Sequence, residues 1–365
     1  MKTVVVSGIN LFRGGTLKII QDCIAALSAF AGRNYRIIAL VHDEKLFPEY
    51  ENVEYMAFPK SRKSWIYRIY YEYFGFRKLS KRLKPYAWFS LHDTTPNVAA
   101  EKRMVYCHNT FSFYQAGWKN LFIQPEIVMF SLFSRYIHQI NIRKNTFVIV
   151  QQEWLREAFE RMFSINNVVV SLPVQTNEHT MIDSHNLPVS KEKIRFFYPA
   201  TPMIHKNYEV ICHAVAMLER AGVNNFEVLL TFNETENRYT KKIADICRPL
   251  KNISFIGFLN REELYKTYHN CDCLLFPSKI ESWGLPVSEA KALGKPILIA
   301  DLPYAKETVG KYGRVKFFDP DNAIRLYEIM NRFIAGALVY DETEDVKYKE
   351  PFTKNWEELI KCIFS

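Results

Sequence analysis

Short apolar runs recur along the chain at residues 4–7, 35–41, 87–91, 104–107 and 147–150, and each gap between them is long enough to hold a helix. The series starts again at 194–198, 226–231, 253–256, 274–276 and 297–300, with helical patterns between the runs over 208–220 and 262–269. Continuous apolar runs, as opposed to alternating ones, read as strands buried on both faces. Their alternation with helices predicts parallel sheets covered by helices. Two α/β domains follow, over 1–171 and 192–340. A linker is expected over 172–191, where Pro173, Asn177, Pro188 and Ser190 interrupt any periodicity. Asn260-Arg261-Glu262-Glu263 reads as a capping box opening a helix. A helix from Ala323 to about Ile334 should close the second domain, and an amphipathic one is expected around residues 356–361.

The most informative stretch lies between an apolar run ending at Phe276 and a helical pattern over 287–293 that stops at Gly294 and Lys295-Pro296. Glu281 falls in the loop, and Glu289 falls one turn inside the helix. Ligands of open α/β sheets bind at the carboxyl ends of strands, where helix N-termini also offer free amides to anions. A Glu near a helix start is also favoured by the helix dipole alone. Three other strand-to-helix segments carry candidate chemistry. Gly8 to Thr16 holds Arg13, Gly14 and Gly15 and suits close approach of backbone to a phosphate, or simply a tight turn. His108 and Asn109 follow the run ending at Cys107, with His92 and Asp93 at the end of the preceding one; a structural histidine is the competing reading for His108. Lys206 lies before the helical pattern of 208–220, where it can meet a diphosphate as a point charge or simply be an exposed lysine.

The stretch from Ile253 to Gly310 contains Phe-Pro-Ser-x-x-Glu-Ser-Trp-Gly-Leu-Pro-x-x-Glu-Ala-x-Ala-x-Gly-Lys-Pro, from Phe276 to Pro296. It resembles the GT4 family of retaining glycosyltransferases. The resemblance implies the GT-B fold, two Rossmann-like parallel-sheet domains facing across a cleft, with a helix at 352–365 packing back on the first. It implies transfer of a sugar from a nucleoside diphosphate sugar to a saccharide or lipid-linked glycan acceptor, as in cell-envelope polysaccharide synthesis. Glu281 and His108 would act at the transferred sugar. Gly14, Gly15, Lys206, Gly284 and Leu285 would hold the diphosphate and sugar. Glu289, with Phe258 and Leu259, would hold the nucleoside, while Arg13, His92, Asp93 and Asn109 would line the acceptor side. Ala200 departs from the pattern, because many such chains carry Arg six residues before the Lys. Arg13 or Lys279 is the candidate to supply that charge. A non-catalytic GT-B subunit docked at the membrane is the alternative that Ala200 favours, and the pair Glu281 and Glu289 opposes it. An NAD(P) oxidoreductase lacks its Gly-x-Gly-x-x-Gly fingerprint here.

Charge adds one feature. The chain of 365 residues carries a net charge of +9, and nine basic residues stand against the single acid Glu72 between positions 60 and 84. Interleaved aromatic and aliphatic residues there, Trp65 through Phe76, make an anionic membrane surface the favoured partner over a merely solvated helix. A nucleic-acid face has no accompanying motif. The seven scattered cysteines suit reduced thiols in the cytoplasm, so the expected location is cytoplasmic, peripheral on the inner face of the membrane. The apolar-looking stretch 121–140 is interrupted by Gln124, Pro125, Glu126, Arg135 and His138 and does not read as a membrane span. The N-terminus has no signal-peptide core, and no metal or other cofactor is expected. Asp319-Pro320-Asp321 reads as the entry to a helix.

Overall fold

The computed structural model describes residues 1–32, 34–173 and 193–364, so the expected linker, apart from Leu172 and Pro173, lies outside the described residues. The chain divides into two compact units. Unit 1 comprises Met1–Asn109, Phe133–Val174 and Tyr348–Ser365, and unit 2 comprises Thr110–Leu132 and Gln175–Lys347. The span 1–171 expected for the first domain is therefore interrupted. Residues 110–132 join unit 2, where Gln124 accepts a hydrogen bond from the Ile204 amide at 2.8 Å and donates to the Pro202 carbonyl at 3.3 Å.

Unit 1 is built on strands β1 (Lys2–Ser7), β2 (Tyr35–Val41), β3 (Val53–Ala57), β4 (Ala87–Ser90), β5 (Lys102–Tyr106), β6 (Phe147–Val150) and β7 (Val168–Ser171). Unit 2 holds β8 (Ile194–Tyr198), β9 (Phe226–Leu230), β10 (Ile253–Phe255), β11 (Cys273–Phe276), β12 (Ile297–Ala300) and β13 (Val315–Phe318). The last strand, β14 (Phe352–Thr353), returns to unit 1 beside β7. The sheet orders are β14-β7-β6-β5-β4-β1-β2-β3 and β10-β9-β8-β11-β12-β13, with parallel pairing throughout. The continuous apolar runs have a direct cause in unit 1. Val4, Val6, Ile37 and Ala39 face one core with the helices Gly14–Ala31 and Trp356–Phe364, while Val5, Ile38 and Leu40 face a second core with Phe76 and Trp88.

The strands that the apolar pattern did not mark are mostly at sheet edges. β3 and β13 end their sheets and are only partly buried, so they keep polar residues such as Glu54 and Lys316. The capping box is in place: Asn260 Oδ1 accepts from the Glu263 amide at 3.0 Å, and Glu263 Oε2 accepts from the Asn260 amide at 2.9 Å. The basic stretch is a broken helix, running through Trp65–Tyr70, a π-helical turn Tyr71–Gly75 and Phe76–Leu83, with Glu72 and Phe76 turned inward. Among the described residues no helix is long and apolar enough to cross a membrane, and all seven cysteines are free thiols.

Candidate active site

In unit 2 the chain runs from β8 outward through β9 to β10, then restarts at β11 on the other side of β8 and continues to β12 and β13. The strand order therefore reverses between β8 and β11. Loops leaving two such strands at their carboxyl ends diverge, and the crevice between them is where open α/β sheets take ligands. The loop after β8 carries Lys206 and the loop after β11 carries Glu281.

These two loops are tied together. Lys206 Nζ lies 2.5 Å from Glu281 Oε1, and each side chain is 15% exposed. Ser278 Oγ donates to the same carboxylate oxygen at 2.6 Å. The Lys279 amide donates to the His205 carbonyl at 2.7 Å, and Asn207 Nδ2 donates to the carbonyls of Pro277 and Pro320 at 3.3 and 2.7 Å. Tyr304 Oη, from the helix Pro303–Val309, holds the Ser278 carbonyl at 2.6 Å. His205 is buried, and desolvation followed by the Lys206 charge pushes its pKa well below the usual value, so it is a neutral neighbour.

Gly284 ends the loop at φ +90°, which strains any L side chain, and a Cβ there would sit 3.3 Å from the Phe276 ring, which would have to give way. It opens the helix Leu285–Ala292, which carries Glu289. Glu289 Oε2 accepts from Tyr268 Oη at 2.8 Å, and Oε1 lies 3.4 Å from Tyr265 Oη. Both tyrosines come from the helix Arg261–Asn270, three positions apart and hence on one face. Burial, then the Glu289 charge, raises the pKa of both, Tyr265 to about 12. Sequence reasoning missed Tyr265, Tyr268, Ser278 and Tyr304; the spacing of the first two was the available signal. Phe258 is 85% exposed beside Gly257, whose φ is +72°, while Leu259 is half-buried and Leu285 is exposed.

Some expected contributors are engaged elsewhere. Lys279 Nζ pairs with Asp321 Oδ1 at 2.5 Å. At Ala200, where the pattern would place a cation, the backbone amide donates to Thr231 Oγ1 at 3.1 Å. Asn322 caps the helix Ala323–Ile334 by accepting the Arg325 amide, and Asp319 accepts the Asp321 amide in the turn before it, each at 2.9 Å. Among the described residues no group of three or more His, Cys, Asp or Glu side chains is arranged to hold a metal ion.

Unit 1 has its own reversal, between β1 and β4. The loop after β1 leads to Arg13, Gly14 and Gly15, all exposed at the start of the helix Gly14–Ala31, and Gly14 takes φ +58°. After β4, Asp93 takes φ +68°, and its Oδ1 accepts the amides of His108 and Asn109 at 2.7 and 2.8 Å. Its other oxygen lies 3.5 Å from His108 Nε2. Asp93 therefore sets both the backbone and the ring of His108. His92 requires a correction: it was expected to line the acceptor side, yet it is fully buried, within 3.2 Å of Ser7 Oγ and 3.1 Å of Thr94 Oγ1 and Glu72 Oε1. A polar residue at a strand end can point down into the unit as readily as out of it, and His92 has buried polar partners waiting below.

Solved glycosyltransferases share this fold. The apo form of the lipopolysaccharide outer core galactosyltransferase WaaB matches all of this chain and 99% of its own at TM-score 0.64 and 13% identity. Sucrose-phosphate synthase from Thermosynechococcus elongatus matches 92% of this chain and 90% of its own at TM-score 0.65 and 12% identity. The fold is GT-B. Within this GT-B chain, residues 181–349 match the family model described as glycosyl transferases group 1. A curated relative, the GtfA subunit of a UDP-N-acetylglucosamine–peptide N-acetylglucosaminyltransferase from Streptococcus parasanguinis, is 25% identical over 227 residues. That match takes in 58% of this chain, and the chain spans only 43% of the relative's length.

Proposed function

We propose that this GT-B chain is a retaining glycosyltransferase that moves a hexose from a nucleoside diphosphate sugar to a saccharide or lipid-linked glycan in cell-envelope polysaccharide synthesis. The observation that carries the reading is the Lys206–Glu281 pair at the strand-order reversal between β8 and β11. Cleaving the bond from an anomeric carbon to a diphosphate leaves negative charge on the departing phosphate and positive charge on the sugar ring. A lysine and a carboxylate fixed side by side are matched to those two charges, and their fixed placement avoids reorganisation as the charges develop. Lys206 and the amides following Gly284 take the diphosphate, and Glu281 takes sugar hydroxyls and favours the developing ring charge. Glu289, oriented by two tyrosine hydroxyls, takes ribose hydroxyls, with Phe258 as the exposed ring available to the base. In unit 1, the Asp93-oriented His108 is assigned to the transferred sugar, with Gly14 and Gly15 at the phosphates and Arg13 and Asn109 toward the acceptor.

The matches to group 1 glycosyl transferases and to WaaB support this class of reaction over a non-catalytic subunit. The eight exposed basic residues between positions 60 and 84 support attachment to the anionic inner face of the cytoplasmic membrane, where a lipid-linked acceptor would be met. The test is a calorimetric titration of the full chain with UDP, GDP, dTDP and ADP, with and without magnesium. Selective, metal-independent binding of one nucleotide, with product formation lost in Glu281→Ala while nucleotide binding persists, is the expected result. Binding of none would overturn it.

A further inference from the structure

Unit 1 contains an apolar cavity of about 290 Å³ lined by Ile69 and Tyr73 on one side of the sequence and Ile137 and Ile140 on another, with Arg68, Glu72 and Thr94 completing its wall. The cavity reaches the surface, because Ile69 and Ile140 are respectively 50% and 44% exposed. Its lining belongs to two stripes of helical spacing that continue outward: Ile66, Ile69 and Tyr73 in the basic segment, and Phe133 and Ile137 of the helix Pro125–Gln139 with Ile140 in the turn just after it. Ile66 and Phe133 are themselves exposed, as are Tyr70, Phe74 and Tyr136. A soluble surface seldom leaves so many large apolar side chains together without a partner.

The segment that supplies Arg68, Ile69, Glu72 and Tyr73 to the lining specifies the partner's charge. Lys60, Arg62, Lys63, Arg77, Lys78, Lys81, Arg82 and Lys84 are all exposed, while the one acid of the segment, Glu72, is inside. The exposed charges of the segment are therefore all positive. Burial pushes the Glu72 pKa up to about 8, so its carboxyl in the cavity wall is uncharged at neutral pH. Arg68 turns its guanidinium to the His92 carbonyl at 3.0 Å.

We propose that this cavity takes one acyl chain of an anionic bilayer lipid whose headgroup lies against the basic residues of segment 60–84, anchoring unit 1 to the membrane. The inference rests on the membrane-surface part of the reading above and adds a specific chain site to it. A cavity this size is at the small end of ligand pockets, which suits the end of a single chain better than a whole lipid. Water in an apolar cavity finds few hydrogen-bonding partners, so a chain displaces it at no polar cost.

The experiment uses the full chain with three probes: phosphatidylglycerol vesicles, monomeric dihexanoyl phosphatidylglycerol, and glycerol phosphate as the headgroup alone. Sedimentation with the vesicles reads membrane attachment, and calorimetry with the two soluble probes reads the chain site. The expected result is vesicle binding, binding of the short-chain lipid but not of glycerol phosphate, and at least about tenfold weaker lipid binding by Ile137→Trp, which fills the cavity. Ile140→Asn at the exposed mouth, read the same way, serves where Ile137→Trp does not fold. Unchanged short-chain lipid binding in the folded variant, or equal binding of glycerol phosphate, overturns the chain site even if vesicles still bind. Failure of vesicle binding overturns the membrane reading with it, and the nucleotide titration is independent of both.

Discussion

Lys206 Nζ and Glu281 Oε1, 75 positions apart in the chain, meet at 2.5 Å with both side chains largely withdrawn from water. In the proposed reading, the lysine that meets the diphosphate is thus already paired with a carboxylate. Donor binding must exchange one anionic partner for another or let the diphosphate share the lysine with Glu281. Replacing Glu281 by Gln removes that competition while keeping the shape and an oxygen for Ser278. Glu281→Gln should therefore bind the free nucleoside diphosphate more tightly, by about tenfold or less, yet lose product formation. Calorimetry with the selected nucleotide and an assay of sugar transfer check the two halves separately. Weaker nucleotide binding in this variant would contradict the competition.

Breaking the same pair from the other side should be costly to the fold. Lys206→Met leaves Glu281 with Ser278 but without its counter-charge, and an unpaired buried charge costs about 3–5 kcal/mol when fully withdrawn from water. With 15% exposure on each side the loss should be smaller, on the order of 2 kcal/mol. The double variant Lys206→Met with Glu281→Gln should recover most of it. Denaturant unfolding of the two single variants and the double forms the cycle that measures the coupling.

Tyr268 is expected to act on nucleoside binding through Glu289. Its hydroxyl donates to Glu289 Oε2 at 2.8 Å, a stronger contact than the 3.4 Å approach of Tyr265. Tyr268→Phe removes one donor to a carboxylate, worth about 1.5 kcal/mol, and lets the Glu289 side chain turn. Affinity for the nucleoside diphosphate should fall by about tenfold, while affinity for inorganic diphosphate, which has no ribose, should not change.

The alternation of apolar runs and helical gaps made both parallel sheets legible, and the Phe276-to-Pro296 motif marked the loop that carries Glu281. Other features depend on partners far apart in sequence. Nothing near His92 announces that Ser7 and Glu72 will enclose it. Tyr268 and Glu289 are 21 positions apart, and only the packing of two helices brings them together. The edge strands β3 and β13 were overlooked because a half-buried strand has no need of a continuous apolar run. Residues 110–132 follow β5 directly, and only Gln124 and its partners show that they pack in unit 2.

Gly284 is placed to test whether the loop geometry matters. Its φ of +90° is strained for any L-residue, and an added methyl would press on the Phe276 ring at 3.3 Å. Gly284→Ala should destabilise the chain by about 1–3 kcal/mol and weaken nucleotide binding, because the turn positions both Glu281 and the helix of Glu289. Thermal unfolding and nucleotide calorimetry on the same sample check both effects.

Glu72 should give the protein a distinctive pH dependence. Its carboxyl is fully buried, facing the His92 ring at 3.1 Å, with Arg68, Thr94 and Tyr73 as the other polar neighbours. Desolvation lifts its pKa from 4.5 to about 8 against the opposing pull of Arg68 and Thr94, and desolvation also drives the His92 pKa well below 6.5. Both groups are therefore neutral in the native state at pH 7. An acid with a raised native pKa holds its proton longer when folded than when unfolded, so the Glu72 contribution falls as pH rises from about 4.5 to about 8 and is flat above. His92 works in the opposite sense, because below pH 6.5 the unfolded chain takes up a proton that the native state refuses. Glu72→Gln keeps the shape and removes the first effect, so it should stabilise the protein at pH 8 by a few kcal/mol, on the order of 4, and by almost nothing at pH 4.5. Denaturant unfolding of both proteins across that range supplies the check. A difference between them that does not grow with pH would mean that Glu72 ionises as readily inside the protein as outside it.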